Sequence, residues 1–383
     1  MTPASIAAAV AAATYFSLLV LKGFLAIRYA RAFEKPAPSR GQGVAIAQAI
    51  LSGDPLLASR LRANAEELPE AHFLWLVDTD DGEGQAICRR LRDSLPTRIE
   101  VIEVEPAPPR TNPKLWKLER AKNAFTEAVL VILDDDTRLP QASLGALVEG
   151  LDRAAVTTGL PRYFEDGRWP SRLLCQFVAN NAAGTYLALP AFLPPITLNG
   201  MTWAIRKESL ARFGLFEPIL RCLTDDFAVA RQVIAGGGRI EQSPLPQELQ
   251  TTVEDGRHYL RLMHRWFLFA TLLLREQKAG LAALITVLHG LPPLLLWLVL
   301  ALWGGSGDGR FGLVLLVVLV LRAVVLAAVQ QQIYGSRLYR PFFSEISELL
   351  QPLHLLHASL VRRIRWRTRY YQVVADDDFR PVS

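Results

Sequence analysis

Cysteine is scarce in this chain of 383 residues, with three in all. Cys88, Cys175 and Cys222 lie far apart, with no CxxC spacing. That argues against a disulfide framework or a zinc site and fits a reducing compartment. Also missing is a basic stripe with interleaved aromatics in the polar middle, so the net charge of +5 does not point to nucleic acid. No Lys or Arg precedes the first apolar run, although a secretory signal peptide has a basic start. No internal repeat is apparent.

What the chain has in excess is apolar sequence, 51% of its residues, gathered at the N-terminus and in the last third. Ala4 to Leu21 carries no charge, and apolar character continues past Lys22 to Ile27. A bilayer-spanning helix needs about 20 such residues. Lys22, Arg28, Arg31 and Lys35 come after the run, so the positive-inside rule predicts an outside N-terminus and a cytoplasmic continuation. Leu281 to Trp303, with a kink expected at Pro292 and Pro293, and Phe311 to Val329 are two further spans. The short loop Gly304 to Arg310 makes them a hairpin that returns Arg337 and Arg340 to the cytoplasm. Phe342 to Val361 holds Glu345, Glu348, Pro352, His354 and His357, too polar for a lipid-facing span, and Arg362, Arg363, Arg365, Arg367 and Arg369 follow. It reads as an interfacial or re-entrant helix with a basic cytoplasmic tail. Arg322 sits at mid-bilayer depth, where an unpaired charge is costly, so it should face protein or a wet cavity, with Glu345 or Glu348 as partner.

The expected organisation is a transmembrane helix in 1–35, a catalytic domain in 36–274, a transmembrane hairpin in 275–335, and an amphipathic segment with a basic tail in 336–383. The catalytic domain should be cytoplasmic, on a membrane of bacterial inner-membrane type.

Within the polar middle, apolar strands (Val44 to Ala47, His72 to Val77, Ile99 to Val104, Ala128 to Leu133) alternate with helical stretches such as Leu56 to Glu67 and Gln85 to Ser94. This alternation predicts an α/β domain with a mostly parallel sheet and a ligand crevice at the strand C-terminal ends. Three acidic clusters follow apolar or loop segments. Asp134-Asp135-Asp136 ends a strand; it is either a solvated turn or a site for a hard divalent cation such as Mg2+. Asp78-Thr79-Asp80-Asp81 ends another; it is a turn or helix cap, or a nucleotide site. Asp225-Asp226 opens a helix, where Asp is favoured in any case, or supplies a general base for an acceptor hydroxyl. Lys114 after Pro113 can offer a point charge to a phosphate.

The joint spacing of these segments resembles the ceramide glucosyltransferases, a lipid-specific branch near the family-2 glycosyltransferases with a Rossmann-like GT-A fold. The likeness runs over nearly the whole chain. The DxDDP-like cluster appears as Asp78-Thr79-Asp80-Asp81, with Gly82 where proline is usual. The G-x-N-P-K segment appears as Thr111-Asn112-Pro113-Lys114, and the strand-end aspartate as Asp134. The acceptor-side TGM segment appears as Asn199-Gly200-Met201, and the Glu-Asp pair as Asp225-Asp226. Arg265-Trp266 stands for the end of (Q/R)xxRW, but Leu262 holds the Gln/Arg position and Arg261 lies one residue too early. Gln48-Ala49 replaces the donor-loop proline.

The resemblance implies an inverting, non-processive sugar transfer from a nucleotide-sugar, UDP-glucose or a related UDP-sugar, to the hydroxyl of a membrane lipid such as ceramide. It implies Asp226 with Asp225 as the catalytic pair. It implies Asp78, Asp80, Asp81, Asn112, Lys114, Asp134, Arg265 and Trp266 on the donor, and Asn199, Gly200, Met201 and Trp266 on the acceptor. A divalent metal, Mg2+ or Mn2+, is expected on Asp134 and Asp136. The alternatives are a polyprenyl-phosphate glycosyltransferase, a glycosyltransferase for a hopanoid, carotenoid or diacylglycerol, and, remotely, a non-catalytic membrane scaffold. Interfacial Trp and Arg at a helix end are the plain alternative for Arg265 and Trp266.

Overall fold

The computed structural model describes residues 3–250, 252–306, 309–335, 339–366 and 369–382. The chain divides into two compact units: residues 1–32, 165–192 and 251–362 form one, and residues 33–164, 193–250 and 363–383 the other.

The α/β unit is built on eight strands: β1 Val44–Ile50, β2 His72–Asp78, β3 Ile99–Val104, β4 Val129–Leu133, β5 Thr137–Arg138, β6 Val156–Phe164, β7 Thr202–Arg206 and β8 Ile240–Gln250. Their order is β3-β2-β1-β4-β7-β6-β8-β5. β3, β2, β1 and β4 run parallel, β7 is antiparallel to both neighbours, and β8 is parallel to β6. The sheet is therefore mixed, with parallel pairings outnumbering antiparallel ones four to three. The sequence pattern shows why only half was foreseen. Val44, Ile46, Phe73, Trp75 and Val131 pack into one apolar core. Ala45, Ala47, Leu74, Leu76, Leu130 and Ile132 pack into another. Strands covered on both faces read as unbroken apolar runs. β8, with Pro244 and Pro246 inside it, does not.

Strand order fixes where a ligand can lie. From β1 the chain builds outward through β2 and β3, then returns to place β4 on β1's other side. In an open α/β sheet the crevice opens at such a reversal, beyond the strand C-terminal ends. Here those ends are Ile50, Asp78 and Leu133, with Asp134 just beyond the last.

The same unit ends in a three-stranded antiparallel sheet, β9 Arg363–Trp366, β10 Arg369–Val373 and β11 Phe379–Val382. The expected basic cytoplasmic tail is thus a folded meander in its described residues. Ile364, Tyr371, Val373 and Phe379 are buried while Arg363 and Arg365 are exposed, the period-two pattern of a half-buried strand.

The other unit holds three helices long and apolar enough to cross a membrane: Pro3–Ala32, Ala279–Leu302 and Gly312–Tyr334. In the second, a π-helical turn at Thr286–Gly290 precedes Pro292 and Pro293. The prolines remove the N–H groups that would reach the carbonyls of Leu288 and His289. Pro341–Leu349 and Gln351–Leu360 form two short helices instead of one span. Arg322 is fully buried. Its partner is Glu348, at 2.7 Å from Nη2, and Tyr15 Oη donates to the same carboxylate at 3.0 Å. Arg322 also donates from Nη1 to Ser344 Oγ and from Nη2 to the Ser344 carbonyl, each at 3.0 Å. With Nε donating to Glu348 Oε2 at 2.8 Å, every nitrogen of the guanidinium is served, as burial demands. Arg337 and Arg367 lie outside the described residues.

Candidate active site

Lys114 is the hub of the carboxylates at the crevice. It lies on the helix Pro113–Ala121, which Asn112 caps by accepting from the N–H groups of Lys114 and Leu115. The Lys114 ammonium stands 2.7 Å from Asp134 Oδ1 and 2.9 Å from Asp225 Oδ2, and donates to the Gly200 carbonyl at 2.9 Å. One cation so joins the end of β4, the segment before β7 and the start of the helix Asp225–Ala235. Although burial works against it, the two carboxylates hold the Lys114 pKa well above the ordinary lysine value. Its three N–H donors point at protein oxygens, so its first role here is to lock acidic groups together.

Asp226 is partly buried beside this cluster. Its Oδ1 accepts from the Phe227 N–H at 2.8 Å. A Cβ added at Gly200 would stand 3.3 Å from Asp226 Oδ2, so glycine lets the backbone approach the carboxylate. Burial first, and then the charge of Asp225, raise the Asp226 pKa to about 7. A carboxylate poised there can take a proton at neutral pH, the property a general base needs. Asp134 is likewise raised, chiefly by burial, against the opposing pull of Lys114.

The neighbouring carboxylates are engaged differently. Asp78, at the end of β2, is buried with Lys117 Nζ at 3.1 Å, and Lys117 also donates to the Ile50 carbonyl at 2.6 Å. Burial lowers the Lys117 pKa despite Asp78. Asp78 Oδ1 is buried without a hydrogen-bond partner. Asp81 caps the helix Gly82–Ser94 through the Gly84 N–H and accepts from the Ser52 N–H, the turn-and-cap role that its residue type allows. Asp80 is exposed. Asp135 is buried and accepts from the Leu51 N–H at 3.0 Å. Gln48 joins β1 to this loop: it donates to the Asp134 carbonyl at 3.4 Å and accepts from Trp75 Nε1 at 3.0 Å.

Of the residues singled out from sequence, the structure brings Lys114, Asp134, Gly200, Asp225 and Asp226 together. Asn112 is buried, and its amide donates to the carbonyls of Cys222 and Leu223. Asn199 folds its amide oxygen onto the Met201 N–H at 3.0 Å, while the Met201 carbonyl accepts from Asp134 N at 2.9 Å. Arg265 and Trp266 belong to the other unit, on the helix Gly256–Arg275, where Trp266 packs on Phe177. Lys117, which follows the Asn-Pro-Lys segment, carried no assigned role in the sequence, although its position three residues after Lys114 puts both on one helix face.

A divalent cation takes oxygen ligands, and Mg2+ commonly binds through one or two carboxylates plus substrate phosphates. Among the described residues no three metal-ligating side chains converge. Asp134 and Asp136 stand two residues apart at the end of β4; Asp134 Oδ1 faces Lys114 and Asp136 Oδ1 accepts from the Thr137 hydroxyl at 3.2 Å.

A family model for Glycosyl transferase family 21 matches residues 4–378, and the chain belongs to that family: it is a glycosyltransferase. No curated protein sequence matches it. Among solved structures it is similar to a mannosyltransferase, PcManGT from Pyrobaculum calidifontis, in complex with GDP-Man and Mn2+. The TM-score is 0.57 at 17% identity, over 93% of this chain and 98% of that one. This likeness is one of fold.

Proposed function

We propose that this member of Glycosyl transferase family 21 moves a sugar, with inversion, from a UDP-sugar to the hydroxyl of a membrane lipid such as ceramide. The observation that carries the reading is Asp226: a partly buried carboxylate, against Gly200 and beside the Lys114 cluster, with its pKa near neutrality.

In this reading Asp226 accepts the acceptor hydroxyl proton as that oxygen attacks the anomeric carbon. The bond to the nucleoside diphosphate breaks on the opposite side. Lys114 holds Asp225 and Asp134 in place through the step. Asp134 and Asp136 would hold a divalent cation, which when bound neutralises charge on the leaving diphosphate. Asp78, Asp80 and Asp81 are assigned to the donor end of the crevice. Asn199, Gly200 and Met201 are assigned to the acceptor side. For Arg265 and Trp266, the diphosphate and acceptor roles rest on the family resemblance alone.

Three membrane-length helices support a lipid acceptor, since a hydroxyl carried by a lipid can react without its tails leaving the bilayer. The basic residues after the first helix support a cytoplasmic α/β unit. The neighbour's GDP-Man and Mn2+ make GDP-mannose the donor to compare with UDP-sugars.

The test is Asp226→Asn, which keeps shape and removes basicity. Transfer should be abolished while calorimetry records unchanged donor binding. Near-normal kcat in this variant would remove Asp226 from the mechanism. A phosphate acceptor, as in a polyprenyl-phosphate glycosyltransferase, needs no such base and would give that result.

A further inference from the structure

The loop before Asp225 is gripped from two sides. On one, the Asn112 amide donates to the carbonyls of Cys222 and Leu223 at 3.0 and 3.2 Å. On the other stands Asp376, in the turn between β10 and β11. Its backbone carbonyl accepts from the Leu223 N–H at 2.7 Å. Its Oδ1 accepts from the Thr224 N–H at 2.8 Å and from the Thr224 hydroxyl at 2.6 Å.

Thr224 is the N-cap residue of the helix Asp225–Ala235, yet its side chain makes no cap bond of its own. The hydroxyl is given to Asp376 instead. A carboxylate at a helix N-terminus is electrostatically favoured, and hydrogen bonds to an ionised acceptor are among the strong ones. Asp376 is buried, and its Oδ2 has no partner. A buried carboxylate is costly to keep, and both donors to Asp376 Oδ1, an N–H and a hydroxyl, belong to the residue directly before the catalytic pair.

We propose that Asp376 is a positioning residue for sugar transfer: the C-terminal meander Arg363–Val382 reaches back to fix Thr224, and through it the orientation of Asp225 and Asp226. The proposal rests on the reading of Asp226 as base. It makes the C-terminal segment part of the active-site architecture, although Asp376 follows Thr224 by 152 positions in the chain.

The experiment compares Asp376→Ala, Asp376→Asn, Thr224→Val and the Asp376→Ala/Thr224→Val pair in the full-length protein. Asp376→Ala should lower kcat by about tenfold to a hundredfold, the scale expected when a reacting group is misplaced. Donor KM and the number of donor sites by calorimetry should stay unchanged. Asp376→Asn keeps an acceptor oxygen for Thr224 and should recover most of the rate. Thr224→Val should resemble Asp376→Ala, and the pair should be no worse than the poorer single, because both remove one interaction. An unchanged kcat in Asp376→Ala, a loss of donor sites in proportion to kcat, or additive losses in the pair would overturn the proposal. If Asp226→Asn is inactive while Asp376→Ala is normal, only the positioning role fails. If Asp226→Asn is active, the reading beneath it fails.

Discussion

Lys114 Nζ lies 2.9 Å from Asp225 Oδ2, so a residue early in the α/β unit holds the start of a helix more than a hundred positions later in the chain. The same ammonium meets Asp134, and each carboxylate is tied to the other through it. Removing one partner of such a cluster leaves charges that burial penalises.

Lys114→Met should therefore damage both activity and stability. Losing the cation from a mostly buried cluster costs on the order of 3 kcal/mol. Transfer should fall by about a hundredfold or more, as when a preorganised electrostatic partner is removed. Thermal unfolding in detergent and a turnover assay measure the two. Wild-type values for both would show that the cluster is incidental.

The rate should depend on the ionisation of Asp226, whose pKa is raised to about 7 by burial and by Asp225. A base must be unprotonated, so kcat should fall as pH drops through about 7, by roughly tenfold per pH unit below it. Stability moves the other way. A folded pKa above the unfolded value of about 3.9 gives a contribution that is fully present below the latter. It is lost as pH rises through the folded value. The difference in melting temperature between wild type and Asp226→Asn, followed from pH 4 to pH 8, should show this sign.

Much of the carboxylate edge of the crevice was legible in the sequence, because β2 and β4 are covered on both faces and read as apolar runs that lead into Asp78 and Asp134. Register put Asp134 and Asp78 at the same edge. What escaped was set by tertiary packing. β8 carries two prolines and polar residues, and gives no apolar run. The meander was read as a basic tail because its arginines dominate, although Arg363-Ile364-Arg365-Trp366 already alternates. Asp376 lies in the run Asp376-Asp377-Asp378, which looks like solvated acid until the turn brings it to Thr224. The role of Lys117 likewise appears only in the fold, where it is buried against Asp78.

The adjacent aspartates at the end of β4 should separate by role. Asp134 belongs to the crevice cluster, whereas Asp135 is buried and bonded to the Leu51 N–H. Chelation of divalent cations should abolish transfer, with recovery on adding Mg2+ or Mn2+. Asp134→Ala should lose the metal-dependent part of donor binding in calorimetry. Asp135→Ala should keep it and lose thermal stability by about 1–3 kcal/mol, the cost of an unsatisfied buried group. Full activity in excess chelator would exclude the metal requirement.

Within the apolar unit, Arg322 and Glu348 should be worth more as a pair than either alone. Breaking a buried ion pair costs about 3–5 kcal/mol, while replacing both members by apolar side chains is often neutral. Arg322→Met and Glu348→Leu should each lower the melting temperature in detergent, and the double variant should recover part of the loss. Additive losses would mean that the two charges act independently.

The central claim is tested most directly by the product itself. Purified protein in lipid nanodiscs containing ceramide, supplied with UDP-glucose and Mg2+, should form a glycolipid whose mass equals ceramide plus one hexose, and Asp226→Asn should form none. A sugar found only on a lipid phosphate, or released only to water, would contradict transfer to a lipid hydroxyl.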